Sequence, residues 1–587
     1  MAAAFETVVE LFEQAVAAHR LRPALLEKTA GVWQPLRYGE LAERVDAARA
    51  GLAALGVGEG GKVAVVADNR VEWAVACYAT AGLGAAFVPM YESQLPEEWH
   101  FILRDCGASV AIVADGRIAS AIEAARGSLP ALEHVLRLDA GPDRVDSFAA
   151  LLERGRERPT PAARPPASAL FGLIYTSGTT GAPKGVMLSH GNIASNIRAI
   201  HQIFTFSPDD RSLAFLPWAH SFGQVCELHG LLSMGCSLAI NDEVRNLLPN
   251  LAEVRPTILF AVPRIFNRLY DVVQQHLADQ PAPLRALVRA GLAAAARRSA
   301  GEPLGWLDRG WLSLADRLAF ARIRERFGGR LRYAISGSAA LDREVATFID
   351  SLGILVYEGY GLTETSPIVT ANFPGHRKLG SVGRPIPGVT VEIDESVGEE
   401  PGQGEVVVRG PNVMLGYYNR PDETAAVLSP DGAFRTGDLG TLDEDGYLYI
   451  TGRLKEQYKL ENGKYVVPGP LEEKIKLSHY VSNAFVYGSN RPYNVALVVP
   501  EREAIEAWAR KRGIQLGSLA SDPQVHALLE EEIAAACREV RGYERVRKFA
   551  VVEEDFTTEN GMLTPTLKLK RRVVLERYGA LIDSLYE

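Results

Sequence analysis

Cysteine is scarce in this chain: five residues in 587 (Cys77, Cys106, Cys226, Cys236 and Cys537), scattered, odd in number and without a Cys-x-x-Cys pair. That excludes a disulfide framework and a cysteine-built zinc site, and it implies a reducing compartment, the cytoplasm. No run of 18 apolar residues occurs, so no segment reads as membrane-spanning. Basic charge is not in excess. The formal net charge is −9, which argues against a general nucleic-acid binder. Gly-x-Ser-x-Gly is absent, and with it the signature of a serine nucleophile on a strand-to-helix elbow. Internal repeats are absent too, and the single biased tract, RERPTPAARPPAS at 156–168, reads as an exposed linker. The N-terminal MAAAFETVVELFEQAVAAHR has early acids and no basic start before an apolar stretch. It reads as an amphipathic helix rather than a signal peptide.

What is present is the composition of a globular enzyme, 47% hydrophobic and 23% charged, in a chain too long for one ordinary domain. Short β-rich runs (KVAVVADN at 62–69, GAAFVPMY at 84–91, SVAIVAD at 109–115) alternate with helical patterns such as RVEWAVACYATAGL. TILFAVP at 257–263 and LRYAISGSA at 331–339 continue the alternation, which predicts an α/β fold with parallel sheet. From about 380 the texture changes to short strands with Gly/Pro/Asp turns, as in a small β-barrel. The tail ends in a basic helix, LKLKRRVVLERYGALIDSLYE.

Between two apolar segments lies YTSGTTGAPKG, residues 175–185. Gly178, Gly181 and Gly185 allow backbone amides to converge. The hydroxyls of Thr176, Ser177, Thr179 and Thr180 add donors, and Lys184 adds a cation. The run reads as a cradle for a polyphosphate. It is not a Walker A loop, because Lys184 follows Pro183 and precedes Gly185. Further stretches fit a nucleotide: YEGYGLTET (357–365), TGDLG (436–440) with an aspartate placed to accept from ribose hydroxyls, GRLKEQYKLENGKY (452–465), and TPTLKLKRR (564–572) with a late lysine.

Taken in this order, the motifs resemble the adenylate-forming superfamily of acyl-CoA synthetases, luciferases and peptide-synthetase adenylation domains, over nearly the whole chain. The resemblance implies a large N-terminal domain over 1–454, made of doubly wound α/β subdomains with a β-barrel-like part at about 380–452. A small mobile α+β lid over 455–587 would follow it. It implies ATP and CoA as co-substrates and Mg²⁺ as cofactor. By position, Thr176, Ser177, Gly178, Thr179, Thr180, Gly181 and Lys184 would hold the β/γ phosphates. Gly337, Ser338, Tyr360 and Gly361 would border adenine, with Tyr360 stacked on it. Thr363 would touch the α-phosphate, Glu364 with Thr179 would hold the metal, and Asp438 with Arg453 beside it would meet the ribose. Lys568 resembles the lysine that bridges the substrate carboxylate and the α-phosphate, and Lys455 the hinge residue. The substrate brings its own ionised nucleophile, so the protein's task is positioning and charge neutralisation.

His220, in LPWAHSFGQVCELHG, falls where the family places a substrate-pocket histidine, although a satisfied core histidine fits the same pattern. KLENGKYVVPGPLEE (459–473) and PRIFNRLYD (263–271) are similar to long-chain fatty acid ligases. Three alternatives stay open: a fatty acyl-AMP ligase loading a carrier protein, an aryl or medium-chain ligase, and a non-catalytic sensor on the same fold. Residues 283–331 hold ten arginines against four acids, with apolar residues at helical spacing and Trp306 and Trp311 between the basic clusters. One reading is a peripheral contact with an anionic membrane. The other is a helical hairpin packed on the main domain with its arginines in water.

Overall fold

The computed structural model describes residues 5–587 except 177–181, 279, 300–301, 399 and 539. Two large sheets carry the N-terminal part. One has seven strands, in the order Gly416–Tyr417, Lys184–Ser189, Leu170–Thr176, Ala86–Met90, Lys62–Val66, Val110–Val113 and His134–Arg137. The other has nine: Arg384–Pro385, Ile368–Ala371, Val356–Gly361, Tyr333–Ser336, Ile258–Ala261, Arg211–Ala214, Ser237–Ile240, Pro23–Thr29 and Val32–Arg37. Both sheets are parallel at their centres, where VAVV, VAIV and ILFA are buried along their length, as strands covered on both faces must be. The edges are antiparallel. A parallel sheet was the expectation there. Short connections explain the difference: residues 177–183 are too few to cross over, so Leu170–Thr176 and Lys184–Ser189 pair as a hairpin.

Local signals fix the helix starts. Thr7 and Glu10 form a capping box on Val8–His19, and Ser189 with Asn192 does the same for His190–Ile203. The RERPTPAARPPAS tract begins on the end of the helix Phe148–Glu157, then runs without regular secondary structure and is mostly exposed. It ties down through Arg49 Nε to the Thr160 carbonyl at 2.8 Å and stays within one sheet. The core between the sheets is aromatic at its centre, where Trp73 meets Phe87 at 4.9 Å and Trp218 at 5.7 Å between ring centroids.

The β-rich segment at about 380–452 is an antiparallel four-stranded sheet of Thr390–Asp394, Gln403–Arg409, Phe434–Leu442 and Leu448–Arg453. The C-terminal part has its own three-stranded sheet of Val481–Tyr487, Asn494–Pro500 and Val546–Val551. Its two core clusters draw only on residues beyond 470.

The basic region is a packed helical hairpin. Ala282–Ser299 buries Leu287, Val288 and Gly291. A Cβ on Gly291 would lie 2.3 Å from the Ala315 Cβ, which is why a glycine stands where Trp306–Ala315 crosses. The apolar stripe foreseen as one face therefore splits. Its first half enters the core, while Trp306 (82% exposed), Leu307, Trp311, Leu314 and Leu318 point outward. At 100° per residue Leu307, Trp311 and Leu314 fall within one narrow arc of the helix Trp306–Ala315.

Candidate active site

The carboxyl ends of the parallel strands in the nine-stranded sheet face the hairpin of the seven-stranded one, the customary place for a ligand in an open α/β sheet. A cavity of about 600 Å³ opens there. Among the described residues, Thr176, Lys184, His220, Gly337, Ser338, Tyr360, Gly361, Thr363, Glu364, Arg453, Lys455 and Lys568 line it. Residues separated by almost four hundred positions thus meet around one space. Ser177, Gly178, Thr179, Thr180 and Gly181 lie outside the described residues. Their flanks, Thr176 and Lys184, are paired directly across the hairpin at the cavity wall. Lys184 forms an ion pair with Glu423, and its ammonium sits 5.0 Å from the Tyr417 ring centroid.

The YGLTET segment is a tight reversal. A Cβ on Gly361 would lie 1.8 Å from the Pro367 carbonyl oxygen, so only glycine fits where the chain doubles back. Thr365 Oγ1 donates to the Pro367 carbonyl at 2.6 Å, and the Leu362 amide donates to Thr365 Oγ1 at 3.0 Å. The turn aims Thr363 and Glu364 into the cavity. Thr363 Oγ1 lies 3.3 Å from Ser221 Oγ, and Tyr417 Oη donates to Glu364 Oε1 at 2.9 Å. Next to it, Ser338 adopts a left-handed backbone (φ 71°). Gly337 brings its backbone so close to the Phe222 ring that a Cβ would lie 3.2 Å from it. The buried Ser336 Oγ, on the same wall, has no hydrogen-bond partner among the described residues.

Asp438, 5% exposed, accepts from Tyr360 Oη at 2.8 Å and from Arg453 Nε at 2.9 Å. The strand register sets Asp438 directly opposite Arg453. The two partners line the cavity while the carboxylate stands behind them, so accepting from a ribose requires one of them to yield. The buried Glu405 supports this corner: Oε1 accepts from the Gly437 amide at 3.0 Å and Oε2 from Arg435 Nε at 3.0 Å.

His220 Nδ1 accepts from the Phe222 amide at 3.2 Å, so the neutral ring carries its proton on Nε2. Burial pushes its pKa down to about 4, helped by the charge of Lys568. It is therefore a neutral donor at physiological pH. Lys568 arrives on a narrow hairpin. The Thr564 amide donates to the Lys568 carbonyl at 2.8 Å, the Lys568 amide to Thr564 Oγ1 at 3.0 Å, and Leu567 takes a left-handed φ of 60°. The Lys568 side chain is exposed and lines the cavity. Its pKa is lowered, first because desolvation penalises the ammonium and then through Arg453, against the opposing pull of Asp438, Glu364 and Glu456.

Lys570, which the sequence presents as a solvated neighbour, instead reaches the N-terminal part. Its Nζ lies 3.6 Å from Glu98 Oε1, and both side chains are mostly buried. Residues the sequence did not single out complete the site: Tyr417 on Glu364, Glu423 on Lys184, Ser221 beside Thr363 and Glu405 behind Gly437. Tyr417 and Glu423 are brought in by the long-range pairing of Gly416–Tyr417 with Lys184–Ser189, and Ser221 by the helical segment that follows His220.

Magnesium fits the donor set. Glu364 keeps one oxygen free of any hydrogen bond given to it, and among the described residues no cluster of three or more His, Cys, Asp or Glu forms a closed metal cage. One carboxylate beside substrate phosphates is how Mg²⁺ is usually held.

The match to known proteins agrees with this geometry. The family model described as AMP-binding enzyme covers residues 12–418, and the AMP-binding enzyme C-terminal domain covers 455–587. The chain belongs to the AMP-binding enzyme family. Among its relatives, the long-chain-fatty-acid–CoA ligase FadD15 of Mycobacterium tuberculosis is 35% identical over 571 residues, 95% of this chain and 93% of the relative. The peroxisomal long chain acyl-CoA synthetase 7 of Arabidopsis thaliana is 32% identical over 95% of this chain and 82% of its own. In structure, the adenylation domain of the carboxylate reductase from Mycobacterium chelonae aligns with a TM-score of 0.81 at 26% identity, covering 100% of this chain and 92% of that one.

Proposed function

We propose that this enzyme joins a long-chain fatty acid to CoA at the expense of ATP, with an acyl-adenylate between. A carboxylate oxygen attacks the α-phosphorus and pyrophosphate leaves. The CoA thiol then attacks the acyl carbon, losing its proton, and AMP leaves. The single observation that carries this reading is the convergence of Lys568 with Lys184, Thr363 and Glu364 on one cavity whose far end is apolar, lined by Ile200, Ile203 and Phe260. Lys184 and the 177–181 run would hold the outer phosphates, Tyr360 and the Gly337 backbone the adenine, and Asp438 with Arg453 the ribose. His220 Nε2–H and the Lys568 ammonium would face the carboxylate as it turns into a mixed anhydride. Glu364 would hold Mg²⁺, which when bound neutralises phosphate charge. Residues 455–587 would act as a lid that turns about Lys455 after adenylation. Lys455 is exposed and lies in a turn just past the last strand of the four-stranded sheet, where a backbone change costs little packing.

Pyrophosphate release from ATP and palmitate, followed with and without CoA, tests the reading. Palmitoyl-CoA and AMP should appear only with CoA. Adenylate that accumulates and never becomes thioester would favour carrier-protein loading, and no pyrophosphate release with any acid would favour a sensor.

Among the described residues no helix is long and apolar enough to cross a membrane. We infer a peripheral contact instead. Trp306, Leu307, Trp311, Leu314 and Leu318 form an exposed apolar stripe, and Arg309, Arg317, Arg322 and Arg326 stand exposed around it. Apolar residues flanked by arginine match an anionic bilayer. Co-sedimentation with anionic but not neutral vesicles at low salt is expected, and equal pelleting with both would refute the contact.

A further inference from the structure

The apolar end of the cavity is closed by four aromatic rings. Phe204 and Phe206 follow the helix His190–Ile203 and stack with centroids 5.2 Å apart. Both meet Tyr333 edge-on, at 5.9 and 5.5 Å, and Phe204 also meets Tyr357 at 5.6 Å and 89°. Phe204, Phe206 and Tyr357 line the cavity, and Tyr333 packs against them. Tyr333 and Tyr357 lie toward the amino ends of their strands, whereas Ser336, Tyr360 and Gly361, at the carboxyl ends, face the nucleotide side. Three to four residues at ~3.3 Å each put the aromatic wall roughly 10–13 Å from the strand ends that border the nucleotide, a length that bounds the depth open to an acyl chain. Carbon–carbon bonds of about 1.5 Å in a zigzag advance roughly 1.25 Å each, so about eight to ten carbons reach the wall. A sixteen-carbon chain does not fit straight in front of it.

The four rings are not equally fixed. Phe204 is 7% exposed, while Phe206 is only half-buried. The outside of the loop is pinned by Arg332. It donates to the Thr205 carbonyl at 3.2 Å, pairs with the buried Asp210 at 3.3 Å and sits 5.0 Å from the Tyr333 ring centroid. Asp210 in turn accepts from the Ser207 amide at 2.8 Å. The backbone of the loop is thus held, while the Phe206 ring is the more exposed of the two stacked phenylalanines.

We propose that Phe206 is the chain-length gate of this enzyme. Acyl chains up to about eight to ten carbons end against the closed wall, and longer chains displace the Phe206 ring and pass their distal carbons beside it toward the surface. This rests on the acyl-CoA reading above.

The test is kcat/KM for pyrophosphate release, with CoA present, on saturated acids of eight, ten, sixteen and eighteen carbons. It is run on the wild type and on Phe206→Ala, Phe206→Leu and Phe206→Trp. The smaller side chains should raise the sixteen-to-eight ratio about fivefold or more, as methylenes enter without moving a ring. The eight-carbon value should stay within about twofold, since that chain stops short of the gate. Phe206→Trp should lower the ratio. Phe206→Leu and Phe206→Trp keep an apolar side chain at the site, so a poorly folded alanine variant does not decide the matter. A ratio unchanged in those two, or one in which short and long acids fall together, overturns the gate. If the wild type turns over none of these acids, the parent reading fails and the gate falls with it.

Discussion

Replacing Lys568 with alanine removes a cation that the C-terminal domain brings to the cavity beside Glu364 and Arg453. In the adenylation step negative charge builds on the α-phosphate as the carboxylate approaches, and an ammonium at contact distance stabilises both. At 4 Å and an effective dielectric of about 20, such a contact is worth ~4 kcal/mol. That corresponds to a loss of about 10³ in adenylate formation, the scale on which single charge-stabilising donors act. If the lid turns after adenylation as proposed, the second half-reaction proceeds without that cation. Thioester formation from prepared acyl-AMP and CoA should therefore stay within about an order of magnitude of the wild type. The natural control is Arg572→Ala. Its guanidinium is exposed and paired with Glu576 one helical turn on, so both half-reactions should be unaffected. Lys570 cannot serve as that control because it is paired with Glu98 across the domain boundary. A pH profile gives an independent readout. Desolvation lowers the Lys568 pKa, so as pH rises its charge is lost before that of an ordinary lysine, and adenylation should fall on an alkaline limb displaced downward. Thioester formation from the prepared adenylate should lack that limb. Equal damage to both half-reactions in Lys568→Ala, or a comparable loss of adenylation in Arg572→Ala, would refute the assignment.

Glu364→Gln keeps the size of the side chain and its contact with Tyr417 but removes the charge. Adenylation should drop by about 10² or more with little change in Tm, and near wild-type turnover at ordinary Mg²⁺ would make Glu364 structural only. Lys455→Pro fixes φ at the turn between the domains. One half-reaction should survive while the complete cycle stalls, and undiminished steady-state turnover would place the hinge elsewhere. Gly291→Ala brings a methyl group to 2.3 Å from the Ala315 Cβ. Although alanine favours helix, the clash should win and cost about 1–3 kcal/mol in urea unfolding, whereas a gain in stability would mean the two helices separate freely.

How much of this was legible in the sequence depends on how local each requirement is. The 175–185 cradle, the YGLTET reversal and the TGD corner are each short runs whose residue types are dictated by backbone geometry and charge within a few positions. Gly361 is an example: its neighbour across the turn, Pro367, is six residues away, so the constraint is written into one stretch. Lys568 was legible as a residue of a motif. That it points into the same space as Glu364 is a property of how the C-terminal hairpin docks. The partners of the site were not legible at all. Tyr417 and Glu423 reach Glu364 and Lys184 because Gly416–Tyr417 joins the edge of the seven-stranded sheet beside Lys184–Ser189, a pairing across some 230 residues of chain.

The basic region shows the same limit from the other side. Helical spacing marked apolar positions at Leu284, Leu287, Val288, Gly291 and Leu292, then at Trp311, Leu314, Leu318, Ile323 and Phe327. Spacing alone states only that a face exists, not which way it turns. Gly291 bears on that, because its missing Cβ lets the second helix cross closely at Ala315: Leu287 and Val288 are buried, Trp311, Leu314 and Leu318 face outward, and Phe327 returns to the core. The phosphate loop followed a similar logic. The connection between Leu170–Thr176 and Lys184–Ser189 is too short for a crossover, so the two strands pair antiparallel and Lys184 stands opposite Thr176. Where chemistry demands particular neighbours in sequence, the residues declare it. Where it demands neighbours in space, the deciding signal sits in packing, often at a glycine whose absent side chain sets which surfaces can meet.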